Sequence, residues 1–441
     1  MRLMHLSDLH LGIKVYEFDL FEDQKYMLDN IIKIAIAKDV DGIMISGDVY
    51  DRPIPPAESV ALFDSFLTRL SDEGIKAYIT SGNHDSQERL SFGSKLMNKS
   101  GIFFGGTFDG TVPRMDLEDE YGQVHLYMLP FLKPSIVRAH MADDTGSSDN
   151  MRSVENKTNS ITEDNKSTDN NTGDINANDI CPDENSDLDI DSKDAISARI
   201  SKDDITSYQK AIDYVLSGLQ IDESARNIIM AHQFVTGATR SDSEEISVGG
   251  VDEISADSFD LFDYVALGHI HTPQIIGGNE HIRYCGTMLK YSFSECKKNK
   301  SVPIITLKEK GNIDIELADL IPQRDMREIK GTYLDLTAKK NYADTNTDDY
   351  IHVTLTDEDD VPDALGRLRS IYPNIMKLDY DNLRTRAVYN SVRAPPERSA
   401  PDDVPMLLQE GSAFEQANSF WQLQGCDFRR RPRIGNHHFR K

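Results

Sequence analysis

Short apolar runs alternate with amphipathic stretches along the first hundred residues, which is the pattern of strands that alternate with helices. Apolar side chains at helical spacing predict one helix over about residues 19–38 and another over residues 58–71, which ends before Gly74. Compact apolar runs predict strands at Arg2 to Leu6, Gly42 to Ile45 and Lys76 to Ile79. This alternation predicts an α/β fold in which helices cover the faces of a sheet.

The strand pattern resumes after residue 205, with fewer helices between the strands. Further strands are predicted at Asn227 to Ala231, Tyr264 to Leu267, Ile282 to Cys285 and Val302 to Leu307. The pattern then changes, and residues 317–390 predict a small separate α/β domain. Its predicted strands are Tyr333 to Leu336, Tyr350 to Leu355 and Ile375 to Leu378, and its predicted helix carries Leu365, Leu368 and Ile371. The first domain therefore spans residues 1–316.

Two segments carry too few apolar side chains to form a core. Residues 142–205 are dominated by Asp, Asn, Ser and Thr, and residues 141–205 contain 17 acidic and six basic residues. Such a segment cannot bury enough surface to offset the entropy of ordering. We interpret it as a disordered acidic insertion within the first domain, because a helical pattern resumes at Tyr208. Residues 391–441 form an irregular tail that is rich in Pro, Gln and Arg.

Composition excludes several classes of protein. The 441 residues contain no apolar run long enough to span a membrane, and the amino terminus lacks the plan of a signal peptide, so a cytoplasmic protein is expected. The four cysteines are scattered, which fits neither a disulfide framework nor a thiolate zinc site. A net charge of −26 would argue against a nucleic-acid partner. The acidic insertion carries much of that charge, however, and bound cations would reverse the local potential.

Polar side chains cluster directly after five predicted strands, where open α/β sheets bind ligands. The five segments are Asp8-Leu9-His10, Gly47-Asp48-Val49-Tyr50-Asp51, Gly82-Asn83-His84-Asp85, Ala231-His232-Gln233 and Gly268-His269-Ile270-His271. Each has an ordinary structural interpretation alone: His232 is typical of a buried core histidine, and GDxxD is typical of a turn. The coincidence of all five favours a functional site above one sheet edge, with His269 and His271 on one face of a strand.

These residue types fit a hydrolase that uses two metal ions. Oxygen and imidazole ligands without thiolate suit Mn²⁺, Mg²⁺ or Fe better than structural zinc. Two ions that act on one phosphoryl group share a carboxylate. Asp48 is the natural candidate for that bridge, because it lies at the centre of the set.

The order DxH, GDxxD, GNHD, H and GHxH resembles the calcineurin-like metallophosphoesterase superfamily, whose fold is a β-sandwich flanked by helices. More closely, the sequence is similar to the bacterial SbcD nucleases over residues 1–141 and 206–393. This similarity rests on segments such as MRLMHLSDLHLG, MISGDVYD, SGNHDS, SDSEEISVGG, FDYVALGHIHTPQ and IRYCGTMLKYSFSE. In such nucleases, the domain that matches residues 317–390 is a capping domain that guides DNA.

The resemblance implies a role for each site residue. One ion would be held by Asp8, His10, Asp48 and His271, and the other by Asp48, Asn83, His232 and His269. His84 would contact the scissile phosphate and help the leaving oxygen depart, with Asp85 holding its orientation. Asp51 would support the site from behind the ligands. Mn²⁺ is the expected ion.

The resemblance also implies an activity and partners. SbcD-type nucleases act in DNA repair, recombination and replication as 3′ to 5′ exonucleases on double strands and as endonucleases on single strands or hairpins. They work with an SbcC-type ATPase, and this chain has no nucleotide-binding P-loop of its own. They form homodimers within a heterotetramer, here through helices near Glu58 to Leu70 and Glu88 to Met97.

Two alternative functions stay open at this point. The chain could be another phosphoesterase of the superfamily, such as a phosphatase or a cyclic nucleotide phosphodiesterase, or a non-catalytic scaffold. A non-catalytic scaffold would be expected to lack some metal ligands, whereas every expected ligand position is occupied.

The tail after about Ser399 lacks the amphipathic helix by which such proteins dock on SbcC. Either the reading frame is shifted there, or a basic tail contacts DNA phosphate.

Overall fold

The computed structural model describes residues 1–141, 200–244 and 252–386. In that part of the chain the strands are β1 (Arg2–Leu6), β2 (Lys14–Val15), β3 (Phe18–Asp19), β4 (Gly42–Ser46), β5 (Lys76–Thr80), β6 (Ile102–Phe104), β7 (Arg114–Asp119), β8 (Gly122–Met128), β9 (Arg226–His232), β10 (Phe234–Val235), β11 (Glu253–Ile254), β12 (Tyr264–Gly268), β13 (Gln274–Ile276), β14 (Asn279–Tyr284), β15 (Lys300–Leu307), β16 (Ile313–Leu320), β17 (Met326–Gly331), β18 (Tyr350–Leu355) and β19 (Ile375–Tyr380).

The α-helices of the same residues are α1 (Phe21–Ala37), α2 (Ala57–Asp72), α3 (Gln87–Leu90), α4 (Ser94–Met97), α5 (Pro134–His140), α6 (Tyr208–Ser217), α7 (Tyr333–Thr337), α8 (Lys339–Tyr342) and α9 (Ala364–Arg369). Short 3₁₀ helices span Asn98–Ser100, Lys202–Asp204, Ala256–Phe259 and Phe293–Glu295. No helix among these residues is both long and apolar enough to cross a lipid bilayer.

Two six-stranded sheets form the body of the fold. The first has the order β16-β15-β1-β4-β5-β6, and its strands β1, β4, β5 and β6 run parallel. The second has the order β13-β14-β12-β9-β8-β7, and its strands β14, β12, β9 and β8 run parallel. Parallel strands bring the polar segments that follow them to the same end of their sheet.

Alternating side chains of the central strands explain the layered packing. In β4, Ile43 and Ile45 pack on the side of α1 and α2, while Met44 points to the second sheet. In β9, Ile229 packs with α5 and α6, and Met230 meets Met44 in the layer between the sheets. Strands buried on both faces are expected to be continuously apolar, as these are. The result is a sandwich of two sheets with helices outside, which confirms the predicted α/β fold class.

A third sheet, of parallel strands β17, β18 and β19, lies in the segment predicted as a small domain. Its core contains Ile351, Val353 and Leu368. The change of sheet falls between Leu320 and Met326, since β16 runs across residue 317. The small sheet packs on the body through Asp23, which accepts hydrogen bonds from Arg324 and from the hydroxyl of Tyr350.

Two sequence-based predictions were wrong. Tyr333 to Leu336 is helical, because the Thr332 side chain caps the helix by accepting the backbone N–H of Asp335. The predicted insertion also ends too late, since Ile205 is buried against the core and Ser201 and Asp204 form a reciprocal capping box. The insertion between 142 and 199 and the tail from 387 lie outside the described residues.

A buried arginine links the two sheets at the end opposite to the polar segments, through an ion pair within the second sheet and a hydrogen bond to the first. The guanidinium of Arg226, at the start of β9, is 3% exposed and donates to both carboxylate oxygens of Asp119, at 2.5 and 3.0 Å. It also donates to the backbone oxygen of Lys308, just after β15 in the first sheet, at 2.9 Å. Burial alone would raise the pKa of Asp119, but the hydrogen bonds from Arg226 lower the pKa well below its ordinary value.

We expect Asp119→Ala to lower the free energy of unfolding by about 3 kcal/mol at pH 7, because it leaves the Arg226 guanidinium buried without its carboxylate. The native pKa of Asp119 lies below the unfolded value of ~3.9, so its contribution is complete above that value and is lost as the pH falls through the native pKa. Urea unfolding at a series of pH values above and below ~3.9 measures the difference in the free energy of unfolding between parent and variant. This difference should become smaller as the pH falls.

Glu118→Ala is the matched control, since Glu118 is the exposed neighbour on the same strand. It should change the free energy of unfolding by less than about 0.5 kcal/mol. Equal losses in the two variants, or a gap that does not vary with pH, would contradict the assigned role of the ion pair.

Candidate metal centre

The five polar segments meet at one place, but they come from both sheets. Three follow β1, β4 and β5 of the first sheet, and two follow β9 and β12 of the second. The prediction of a single sheet edge was therefore wrong in this respect. The site lies where the carboxyl ends of strands from two facing sheets adjoin.

A direct hydrogen bond closes the gap between the sheets at this point. The Nδ1–H of His232, at the end of β9, donates to the backbone oxygen of Ser46, at the end of β4, at 2.8 Å. Gly47 follows with a φ of +84°, and a Cβ there would lie 2.3 Å from Nδ1 of His232. A Cβ on Gly268 would lie 1.9 Å from the Ser46 oxygen. Only glycine permits such a close approach at these two positions.

The loops that follow the strands turn back sharply on themselves. Asp8, His10 and Asp48 have φ values of 52°, 43° and 51°, and His269 has a φ of 102°. Left-handed backbone in non-glycine residues costs energy and is concentrated at functional sites. The prediction that His269 and His271 lie on one face of a strand was therefore wrong, because the backbone leaves the strand conformation after Gly268. Their rings contact different partners.

One set of side chains surrounds His10. Its Nε2 lies 3.1 Å from Nε2 of His271, 3.7 Å from Oδ2 of Asp48 and 4.0 Å from Oδ1 of Asp8. All four side chains are buried. Asp8, His10 and His271 each offer one ligand atom within 4.8 Å of the others.

A second set surrounds Asn83. Its Oδ1 lies 3.0 Å from Nε2 of His232 and 3.0 Å from Nδ1 of His269. Nε2 of His232 lies 3.2 Å from Oδ2 of Asp48, the same oxygen that faces His10. Asp48 thus lies between the two sets. Its other oxygen accepts the backbone N–H of His84 at 2.8 Å, which fixes the carboxylate in place.

The structure also places the three residues predicted to assist catalysis. The ring of His84 lies edge-on to that of His10, with centroids 4.8 Å apart, and its Nδ1–H donates to the backbone oxygen of Asp51 at 2.9 Å. Oδ1 of Asp51 is 3.8 Å from Nδ1 of His10. The carboxylate of Asp85 accepts the backbone N–H groups of Val49, Tyr50 and Gly82, at 3.0 to 3.1 Å. Asp85 thereby ties the loop after β5 to the loop after β4.

Burial and proximity shift the pKa values of these groups in opposite directions. Burial raises the pKa of Asp8 to about 7 and lowers the pKa of His10 to about 4. Burial alone would lower the pKa of His232, but the adjacent Asp48 carboxylate raises it to about 9. Burial would raise the pKa of Asp48, but His232 and His10 hold it well below its ordinary value. Few protons are therefore bound to the two carboxyl groups and the imidazole rings of this site.

This donor set fits divalent cations. Nε2 of His10 and Nε2 of His271 face each other at 3.1 Å, and burial lowers the pKa of both rings. Two neutral rings at that distance need a shared proton or a cation between their lone pairs. Carboxylate oxygens, an amide oxygen and imidazole nitrogens are ligands that bind divalent transition metals.

Sequence reasoning missed the residues that hold the loop after β1. The side chain of Gln24, buried on α1, donates to the backbone oxygens of Leu9 and His10, at 3.2 and 2.9 Å. The hydroxyl of Tyr291 donates to the same Leu9 oxygen at 2.7 Å. A polar residue on a helix and a tyrosine far along the chain carry no spacing that marks them as neighbours of His10.

Comparison with known proteins agrees with this geometry. The family described as calcineurin-like phosphoesterase matches residues 1–273, and the family described as type 5 capsule protein repressor C-terminal domain matches residues 322–403. The chain is also similar to the SbcD subunit of the nuclease SbcCD from Staphylococcus epidermidis, with 28% identity over 382 residues that cover 86% of this chain and 85% of that protein. The predicted resemblance to SbcD nucleases is thereby confirmed.

The match to residues 1–273 covers more than half of the chain and includes all of the polar segments that meet between the two sheets. In this region, each motif of the sequence lies at the end of a strand, and the close contacts of Gly47 and Gly268 lie within these motifs. The chain belongs to the calcineurin-like phosphoesterase family.

Proposed function

We propose that this chain is the nuclease subunit of an SbcCD-like complex and hydrolyses phosphodiester bonds in DNA with the help of two divalent ions. The observation that carries the proposal is the position of Asp48, whose Oδ2 lies 3.2 Å from His232 and 3.7 Å from His10. One carboxylate thus faces two sets of ligands, as a bridge between two ions requires. The relative from S. epidermidis, a nuclease, supports the choice of nucleic acid as substrate.

Each ion has a proposed set of ligands. Asp8, His10, Asp48 and His271 would hold one, and Asp48, Asn83, His232 and His269 would hold the other. Mn²⁺ is the expected ion, with Mg²⁺ or Fe as alternatives, because the donors are oxygen and imidazole nitrogen. Ions bound there would polarise the phosphodiester and help to activate the attacking water.

His84 is proposed as the group that moves a proton. A carbonyl oxygen can only accept, so the contact with the Asp51 oxygen leaves the proton on Nδ1 of His84. Nε2 is then the atom that exchanges a proton. In the protonated ring, Nε2–H would be donated to the leaving 3′ oxygen as the phosphorus–oxygen bond breaks, and the neutral ring would be left behind. Asp85 acts indirectly, since it holds the loops that carry His84 and Asp48 together.

The small domain is proposed to guide DNA to this site. It is attached to α1 through Asp23, and the next residue, Gln24, holds the loop that carries His10. The small domain, which would position the DNA strand, would thus be connected through α1 to the loop that carries His10. The expected reactions are 3′ to 5′ exonuclease action on double strands and endonuclease action on single strands or hairpins.

An SbcC-type ATPase and a second copy of this chain are the proposed protein partners. Phe92 follows α3 and Leu96 lies in α4, and their side chains are 82% and 76% exposed. Exposed apolar side chains of this size often mark a protein interface. They lie in the segment 88–97 that the resemblance assigns to the homodimer.

Replacing Asp48 and replacing His84 should have separable effects. Asp48→Ala should lower both Mn²⁺ binding and DNA cleavage, because it removes the shared ligand. His84→Ala should bind Mn²⁺ like the parent but cleave DNA about 10² to 10⁴ times more slowly, because only proton transfer is lost. Calorimetric titration with Mn²⁺ and a nuclease assay measure the two effects.

His140→Ala provides the control, since His140 is exposed on α5 and far in sequence from the polar segments. It should match the parent in both measurements. Loss of Mn²⁺ binding in His84→Ala would make His84 a ligand, and unchanged cleavage in either site variant would remove that residue from the mechanism.

A panel of substrates tests the proposed specificity. Blunt double-stranded DNA, hairpin DNA, a cyclic nucleotide and p-nitrophenyl phosphate are incubated with the protein in Mn²⁺, with and without SbcC and ATP. DNA should be cleaved, and EDTA should abolish cleavage because the ions carry the chemistry. Rapid hydrolysis of p-nitrophenyl phosphate or the cyclic nucleotide beside intact DNA would favour a phosphatase or a cyclic nucleotide phosphodiesterase instead.

A further inference from the structure

A second layer of polar side chains surrounds His271 on the side away from His10. The backbone N–H of His271 donates to Oε1 of Glu244 at 2.6 Å, and its backbone oxygen accepts from Nζ of Lys300 at 2.7 Å. Nδ1 of the ring lies 2.8 Å from Oγ of Ser243. Oγ of Ser243 in turn lies 2.8 Å from Oε1 of Glu295. The main chain and the ring of His271 are thus held by two segments, residues 243–244 and the start of β15.

The direction of each hydrogen bond follows from the chemistry of the groups. Glu295 is fully buried and pairs with Nζ of Lys300 at 2.5 Å, so its carboxylate is ionised and can only accept. The single proton of the Ser243 hydroxyl therefore goes to Glu295. The Ser243 oxygen is left to accept, and its partner on the ring, Nδ1 of His271, must be the donor.

This order of donors sets the tautomer of His271. With the proton on Nδ1, Nε2 carries a lone pair, and that lone pair faces His10 across 3.1 Å. The hydroxyl of Ser241, 2.8 Å from Ser243, fits the same scheme, because it can donate to the remaining lone pair of the Ser243 oxygen. Histidine ligands of metals commonly donate their other N–H to an oxygen in this way.

We propose that Ser243 and Glu295 are positioning residues that hold His271 with its proton on Nδ1, so that Nε2 is presented to a divalent ion. This inference rests on the proposed function, which places His271 among the ligands of one ion. Without the Ser243 oxygen, Nδ1 of His271 loses the acceptor that sets the tautomer, and the ring loses part of its preorganisation for the ion.

The cost of the arrangement supports a functional role. Ion pairs as deeply buried as Glu295 with Lys300 contribute little net stability, because both charges lose their hydration. Here Glu295 also accepts the Ser243 hydroxyl, and Lys300 also holds the His271 backbone. The buried charges are thus directed at a single ligand through two separate contacts.

The experiment titrates metal-free parent, Ser243→Ala, Ser243→Thr and Ser294→Ala with Mn²⁺ by calorimetry, and measures the melting temperature of each metal-free protein. Thr keeps the hydroxyl that Ala removes. Ser294 is an exposed serine that accepts the Asp242 N–H and contacts Ser292, so it is a matched control near the site.

We expect Ser243→Ala to bind one of the two Mn²⁺ ions about 10 to 100 times more weakly, with the other ion and the melting temperature little changed. Ser243→Thr should restore the affinity, and Ser294→Ala should match the parent. Rescue by Thr separates tautomer control from mere packing, since Thr adds a methyl group but retains the acceptor.

The outcomes separate this inference from the function on which it rests. A parent that binds two ions together with a Ser243→Ala variant that binds both equally well would overturn the inference alone. Weakening in Ser243→Thr equal to that in Ser243→Ala would also overturn it. A parent that binds no Mn²⁺ would overturn the proposed function, and the inference with it.

Discussion

The hydrogen bond from His232 to the backbone oxygen of Ser46 is the contact on which the site depends, because it joins the carboxyl ends of strands in two different sheets. Each sheet alone supplies an incomplete group: the first contributes carboxylates and an amide, and the second contributes most of the imidazoles. Nδ1 of His232, on β9, lies 2.8 Å from the backbone oxygen of Ser46, on β4. This close approach leaves no room for side chains at Gly47 and Gly268. Backbone sterics thus decide the geometry of the ligands.

Electrostatics explain why such a cluster suits cations. Asp8 and Asp48 are withdrawn from water beside four imidazole rings, and the ordinary hydration of these groups is lost. Protons compensate only in part, since burial lowers the pKa of His10, His269 and His271 while the Asp48 carboxylate raises the pKa of His232. Divalent ions would neutralise the carboxylates and occupy the imidazole lone pairs at once. Local charge at this site is therefore independent of the acidic character of the whole chain.

Helix α1 links the small sheet of β17, β18 and β19 to the site through two consecutive residues. Asp23 binds Arg324 and Tyr350 at the base of the small sheet, and Gln24 binds the backbone of the loop that carries His10. Both side chains are buried, and burial strengthens the hydrogen bonds that they form. A helix usually buries apolar side chains on its inner face. Here that face also carries the polar contacts that connect two parts of the molecule.

The amino-acid sequence by itself determined the alternation of strands and helices, the apolar core of the central strands and the polar residues that follow them. These features are local, since periodicity and turn chemistry act over a few residues. Helices at 19–38 and 58–71 were therefore predicted within two residues of α1 and α2. The same local reasoning was wrong at Tyr333, where a cap from Thr332 outweighs the apolar pattern.

Only the tertiary structure decided how the polar residues combine. The sequence contains no signal that β9 and β12 lie in a second sheet, that His269 turns to Asn83 while His271 turns to His10, or that Ser243 and Glu295 meet behind His271. These contacts join residues up to 261 positions apart. They depend on how two sheets pack and on which backbone groups approach most closely, and such long-range packing leaves no periodic pattern along the chain.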